Sequence, residues 1–178
     1  MFNENKISFR KLHTDDLPLL FKWLNEPFVK EWYGKDDTTT FDDISKKYTP
    51  RIFGEDHIKC FIVNYTSIPV AYIQTYTLSE YPQEIKDFGL DSKTAGLDLF
   101  IGNKDYFGIG LGSLILKKFL QEVVFITDNI DICIVDPEPS NIRAIKSYEK
   151  VGFNHLKTIH IPKESIAKYV MIIHKKDL

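Results

Sequence analysis

Asn141-Ile142-Arg143-Ala144-Ile145-Lys146-Ser147-Tyr148-Glu149-Lys150-Val151-Gly152-Phe153 is the stretch on which the fold turns. It reads as a helix from Asn141 to Lys150, stopped by Gly152 in a left-handed cap. Tyr148 follows Asn141 by seven residues and so lies on the same helix face. Upstream of it, Ile130 to Val135 is a strand, and Asp136-Pro137-Glu138-Pro139-Ser140 is a rigid turn. Earlier still, Gly108-Ile109-Gly110-Leu111-Gly112-Ser113 opens a second helix. There Leu114, Ile115, Phe119, Leu120 and Val123 recur at helical spacing as far as Phe125. Glycines permit close backbone approach, and the unpaired amides of a helix start attract anions. A tight strand–helix turn explains the glycines equally well. The cluster lacks the Lys-Ser/Thr ending of a P-loop, and no Gly-x-Gly-x-x-Gly turn sits in the first strand–helix unit.

Working outward, Ile7 to Leu12 is a first strand, after which Thr14 caps a helix with Asp15 and Asp16 in its first turn. Leu17, Leu20, Phe21 and Leu24 form its apolar face, Pro18 falls in the first turn, and Glu26-Pro27 ends it. Phe28 to Gly34 is a short helix or turn. Thr40 caps a further helix with Asp43 in an acidic capping box, and that helix ends near Tyr48, before Pro50. Ile58 to Tyr65 and Ile68 to Leu78 form a hairpin with Pro69 at a strand start. Ser79 to Thr94 reads as a long irregular acidic loop carrying Glu80, Glu84, Asp87 and Asp91. Gly96 to Ile101 is an apolar strand interrupted by Asp98. Phe153 to Ile161 and Ala167 to His174 are the last two strands. This order predicts an α/β fold with a central mixed, twisted β-sheet flanked by helices. The Gly96 to Val135 unit should be a right-handed parallel crossover.

The chain has 178 residues, 43% of them hydrophobic and 27% charged. That suits a single domain spanning residues 1–178 with a sizeable core. A formal net charge of -2 argues against a nucleic-acid partner. No apolar run reaches the roughly 18 residues of a membrane span, and the first residues lack a secretory pattern. A cytoplasmic protein is expected, with monomer and homodimer both open. Cys60 and Cys133 lie in apolar runs and read as buried thiols. The five histidines show no metal-ligand spacing, so no metal is expected.

The strand ending at Ile101, then Phe107-Gly108-Ile109-Gly110-Leu111-Gly112, then Asn141-x-x-Ala144-Ile145-x-x-Tyr148-x-Lys150-x-Gly152-Phe153 resembles the GCN5-related N-acetyltransferase (GNAT) superfamily. The glycine motif is similar to that superfamily's Gln/Arg-x-x-Gly-x-Gly/Ala loop, with Phe107 where Gln or Arg is usual. The resemblance is narrower for the aminoglycoside 6'-N-acetyltransferases. Asp136 to Lys150, Glu31-Trp32-Tyr33-Gly34, Lys47-Tyr48, Ala71-Tyr72-Ile73-Gln74-Thr75-Tyr76 and Gly96-Leu97-Asp98 carry it. It implies the GNAT fold, acetyl-CoA as co-substrate and a cationic aminoglycoside or other small amine as acceptor. Acetyl-CoA would then be bound by Phe100, Ile101, Phe107, Gly108, Ile109, Gly110, Leu111, Gly112, Ser113, Asn141, Ala144 and Tyr148. Trp32, Tyr33, Tyr48, Tyr72, Gln74, Tyr76, Asp98 and Asp136 would hold the acceptor.

Acetyl transfer to an amine needs a proton acceptor, donors for the oxyanion and a proton for the leaving thiolate. A carboxylate beside an ammonium both binds it and can take its proton. Asp98 is the candidate, projecting to the sheet face opposite Leu97 and Leu99; a strand Asp paired with a core cation is the alternative. Asp136, before Pro137, is a cation-binding residue or a turn or helix-capping Asp. Asn141 bonds the cofactor or caps its helix, in competition with Ser140. Tyr148 protonates the thiolate or packs as an ordinary core tyrosine. A backbone amide of the Leu99–Ile101 strand is expected to hold the oxyanion. Asp36, Asp37 and the acidic loop can attract a polycation. Trp32, Tyr33, Tyr48, Tyr72 and Tyr76 stack on the substrate or fill the core. Two other functions stay open: the same transfer to another small amine or a protein N-terminus, and a non-catalytic acyl-CoA sensor.

Overall fold

The computed structural model describes residues 2–33, 40–126, 129–160 and 167–178. Gly34, Asp36, Asp37 and Ile161 of the sequence reading lie outside them. Seven strands pair in the order β1-β2-β3-β4-β5-β7-β6. They are β1 (Ile7–Lys11), β2 (Lys59–Tyr65), β3 (Ile68–Thr77), β4 (Thr94–Ile101), β5 (Ile132–Val135), β6 (Asn154–His160) and β7 (Ala167–His174). The helices are α1 (Leu17–Leu24), α2 (Pro27–Lys30), α3 (Phe41–Phe53), α4 (Pro82–Phe88), α5 (Leu111–Phe119) and α6 (Ile142–Glu149). This is the expected mixed sheet with flanking helices. The chain forms two compact units, Met1–Gln74 with Leu99–Gly112, and Thr75–Asp98 with Ser113–Leu178.

In the first unit β1 runs antiparallel to β2, from Ile7 opposite Tyr65 to Lys11 opposite Phe61. The β2–β3 hairpin closes through Thr66 and Ser67, whose φ values of 48° and 66° are the left-handed pair of a two-residue turn. Leu20, Leu24, Ile44, Tyr48, Ile62 and Tyr72 are fully buried in the core. Two helix ends depart from expectation. Thr14 does not cap α1; it opens a short 3-10 turn, Thr14–Asp16, and α1 begins at Leu17. Pro50 does not stop α3, which continues to Phe53 and ends in a left-handed Gly54. A proline removes one intrahelical donor, and the carbonyl of Pro50 still accepts from the N–H of Glu55 at 2.8 Å. The Thr40–Asp43 capping box is present at the other end.

Asp16 is buried and takes both Arg10 guanidinium nitrogens at 2.6 and 2.7 Å, plus the His13 N–H at 2.9 Å. Burial by itself raises the carboxyl, but the Arg10 and His13 contacts outweigh it and hold Asp16 below its usual range. A carboxylate with a folded value below its unfolded one stabilises the fold above the unfolded value, near pH 4. That contribution is lost as the pH falls through the folded value. Asp16→Asn should therefore lower Tm at pH 7, and melts at successively lower pH should show the gap to wild type closing below about pH 4.

In the second unit β4 is parallel to β5, with Thr94 opposite Ile132 and Gly96 opposite Ile134. Strand β7 is antiparallel to β5 and β6, with a bulge at His155–Lys157. Residues 79–94 are not an irregular loop: they contain α4, opened by Pro82 and closed by a left-handed Gly89. Its Ile85 and Phe88, three apart, pack with Leu78, Ile134 and Val170. Lys157 Nζ donates to the Asp87 carbonyl at 2.6 Å in the last turn of α4, where a cation suits the helix dipole. Beyond α5, Leu120–Val124 is a π-helical turn. Cys60 and Cys133 are free and buried. Among the described residues, no helix is long and apolar enough to cross a membrane, and no group of three His, Cys, Asp or Glu is placed to hold a metal.

Candidate active site

The first unit carries the end of β4, the glycine loop and most of the predicted aromatics. Gly108 and Gly110 have φ of 77° and 91°, a region that side-chain-bearing residues rarely enter. A Cβ built on Gly110 or Gly112 meets nothing within 4 Å. The backbone leading into α5 therefore has open space beside Gly110 and Gly112. Phe107 offers no polar contact; its ring lies 4.6 Å from that of Phe28. Ile109 is exposed and Leu111 buried. The end of β4 is fixed from behind, since the N–H groups of Gly102 and Asn103 both donate to the Val70 carbonyl at 3.0 and 3.1 Å. A Cβ on Gly102 would overlap the Trp23 indole.

The predicted pocket aromatics divide. Tyr48 and Tyr72 have no exposed surface. Tyr72 stacks on Phe100 at 5.3 Å and meets Tyr48 edge-on at 5.6 Å. Tyr33 packs on Phe100 at 4.8 Å, and Trp32 and Tyr33 are half-buried. Tyr48 and Tyr72 therefore stand in the core of the unit, as does Gln74. The Tyr72 hydroxyl donates to Gln74 Oε1 at 2.6 Å and lies 2.9 Å from Cys60 Sγ. Arg51 donates to the same Gln74 oxygen at 3.0 Å and to Asp56 at 3.1 Å. Nothing in the local pattern around Arg51 announced this network, because it joins α3 to β2 and β3.

The second unit carries the carboxylates and the phenols. Gly96 and Ile134 are paired in the β4–β5 register; Asp98 follows Gly96 by two residues on the same face of β4, and Asp136 comes directly after the end of β5. Tyr76 lies directly over Gly96, where a Cβ would overlap its ring. The Tyr76 phenol is pushed well up by burial, then by the negative charges of Asp98, Asp136 and Glu84. Tyr148, 8% exposed, packs its ring against Phe153 at 5.7 Å. Its phenol is likewise raised by burial, then by Asp98 and Asp136. At neutral pH it is a protonated donor, and its hydroxyl makes no hydrogen bond among the described residues. Asn141 is itself the cap of α6, its Oδ1 accepting from the Ala144 N–H at 3.1 Å, so Ser140 does not hold that place. Ser113 is buried at the start of α5. Asp136 forms an ion pair with Lys168 at 2.9 Å, a partner that sequence reading missed because β7 reaches it only through tertiary pairing.

A glycine-opened helix after β4, a parallel β5 and a strand-end carboxylate near a buried phenol describe an acyl-transfer protein. The chain belongs to the acetyltransferase (GNAT) domain family, whose model matches residues 13–161. It is 28% identical over 161 residues to the aminoglycoside N(6')-acetyltransferase type 1 of Klebsiella pneumoniae, covering 90% of this chain and 80% of that one. Among solved structures it is similar to the aminoglycoside acetyltransferase AAC(6')-Ib in complex with coenzyme A and kanamycin. That match has 27% identity and a TM-score of 0.82, and covers 96% of each chain. A spermidine N-acetyltransferase from Vibrio cholerae shares the fold at 16% identity and a TM-score of 0.76, over 97% of this chain and 98% of the other.

Proposed function

We propose that this protein transfers the acetyl group of acetyl-CoA to the 6'-amine of aminoglycosides by direct attack in a ternary complex. The observation that carries the reading is the buried Tyr148, packed on Phe153, whose phenol is raised by burial and then by the Asp98 carboxylate, and whose hydroxyl makes no hydrogen bond among the described residues. The match to 6'-N-acetyltransferases over 90% of the chain supports the substrate class. Acetyl-CoA supplies the activated acetyl group. Asp98 holds the acceptor ammonium and takes its proton, freeing the nitrogen lone pair for the thioester carbon. A backbone N–H of Leu99–Ile101 stabilises the carbonyl oxygen as it becomes negative. Tyr148 returns a proton to the sulfur as the C–S bond breaks. The backbone of Gly108 to Ser113, with open space at Gly110 and Gly112, binds the pyrophosphate, with Asn141, Ala144, Phe100 and Ile101 along the pantetheine arm. Asp136, Tyr76, Trp32 and Tyr33 hold the rest of the acceptor. Residues 1–178 act as one acetyltransferase domain in the cytoplasm, a reading supported by a family match that includes stretches of both units.

The test is thiol release from acetyl-CoA with kanamycin-type acceptors bearing either a 6'-amine or a 6'-hydroxyl. Turnover with the amine alone is expected. Equal turnover with both would place the reacting nitrogen elsewhere on the acceptor, and none with either would sink the aminoglycoside reading.

A further inference from the structure

Gly96 is the one glycine of β4, and its backbone does not call for one: its φ lies outside the left-handed region. What excludes a side chain is Tyr76. A Cβ on Gly96 would overlap Cζ, Cε2 and the hydroxyl oxygen of that phenol. We propose that Gly96 is a positioning residue for the acceptor. It leaves the space into which the Tyr76 ring folds, and so fixes the phenol hydroxyl beside Asp98 as a hydrogen-bond donor to the acceptor. The description of that ligand as an acceptor rests on the acetyl-transfer reading above.

Of the two partners, the strand is the one held still. The buried Thr75 hydroxyl donates to the Gly96 carbonyl at 2.9 Å, and on the β5 side Gly96 is in register with Ile134. Tyr76 is the one that can move. The overlap involves only the far end of its side chain, and the ring is partly buried, with Tyr81 edge-on at 5.0 Å. A methyl group at 96 would therefore push the phenol off the strand and leave the backbone in place. Apolar packing does not account for the arrangement, because the polar end of the ring is the end that meets Gly96. Asp98 follows on the same face of β4 two residues later. After burial, the charges of Asp98, Asp136 and Glu84 raise the phenol, so its tip lies among carboxylates and stays protonated at neutral pH. A neutral donor in an acidic cluster suits an acceptor that brings ammonium groups to the carboxylates and an uncharged oxygen or amine nitrogen to the phenol.

The test is calorimetric titration of the full chain with kanamycin, with thiol release and melting measured alongside. Gly96→Ala should bind kanamycin about tenfold more weakly, the scale of one lost hydrogen bond. Its KM for acetyl-CoA and its Tm should stay close to wild type and its kcat within a few-fold, since the ring moves and the strand does not. Tyr76→Ala should lose at least as much affinity. Gly96→Ala combined with Tyr76→Ala should lose no more than Tyr76→Ala alone, because the added methyl then displaces nothing. If Gly96→Ala does not fold, the double variant decides. Folding with the affinity of Tyr76→Ala supports the proposal, and failure to fold where Tyr76→Ala folds overturns it. Wild-type affinity in either single variant, additive losses in the double, or no kanamycin binding by any form would also overturn it. The expected pattern of affinities without turnover leaves the role of Gly96 standing and removes the transfer reading, whereas turnover with equal affinities in all forms does the reverse.

Discussion

Asp98→Asn is expected to lower turnover by roughly two to four orders of magnitude, the range for loss of a general base. The substitution keeps the size and shape of the side chain, so the half-buried end of β4 has no reason to rearrange. It removes both the proton acceptor and the charge that attracts the ammonium, so kcat and kcat/KM should fall together. Thiol release at saturating acetyl-CoA and acceptor reads the effect. Turnover within a few-fold of wild type would take Asp98 out of the proton-transfer step and leave it at most a binding group. The same variant should also ease the upward push on the Tyr76 and Tyr148 phenols, both of which have Asp98 among their causes.

Tyr148→Phe is the second large effect, a fall in the chemical step of about tenfold to a hundredfold, at or below the lower end of the general-acid range. The hydroxyl has no hydrogen-bond partner among the described residues, and the ring packs on Phe153. The phenylalanine should therefore fold with stability within about 1 kcal/mol of wild type. Lost activity beside an unchanged melt separates a proton donor from a core tyrosine. Single-turnover measurements are the decisive form, because slow product release would hide the step in kcat. An unchanged single-turnover rate would mean that the thiolate leaves without help from Tyr148.

Much of the local structure was legible because it is written locally. The Thr40–Asp43 box, the paired strands around Thr66-Ser67, the Asn141 helix start and the Gly152 stop each need only a few neighbouring residues. The alternation that turns Asp98 away from Leu97 is of the same kind. What escaped depends on distant parts of the chain. Helix α4 has only two apolar anchors, Ile85 and Phe88, too few for periodicity to show until Leu78, Ile134 and Val170 receive them. Pro50 looked like a stop because the rule against it counts one lost hydrogen bond, while Arg51 in the same turn is bound to Asp56 and Gln74. Lys168 meets Asp136 only through the pairing of β5 with β7. Tyr48 and Tyr72 show a different limit: an aromatic on an amphipathic helix or an alternating strand fits a pocket wall and a core alike. Their complete burial places them in the core, and Tyr76 and Tyr148 are the phenols left beside the carboxylates.

Tyr72, Gln74, Cys60 and Arg51 are joined through shared atoms, a single Gln74 oxygen accepting from both a phenol and a guanidinium. Losing Gln74 would take an acceptor from a buried phenol and a guanidinium at once, leaving Tyr72 with Cys60 and Arg51 with Asp56. Such a group resists change one residue at a time, so divergence here should proceed in steps that replace several members at once. The history of this half of the protein would then be recorded as a few linked exchanges, and not as the steady drift expected of its surface.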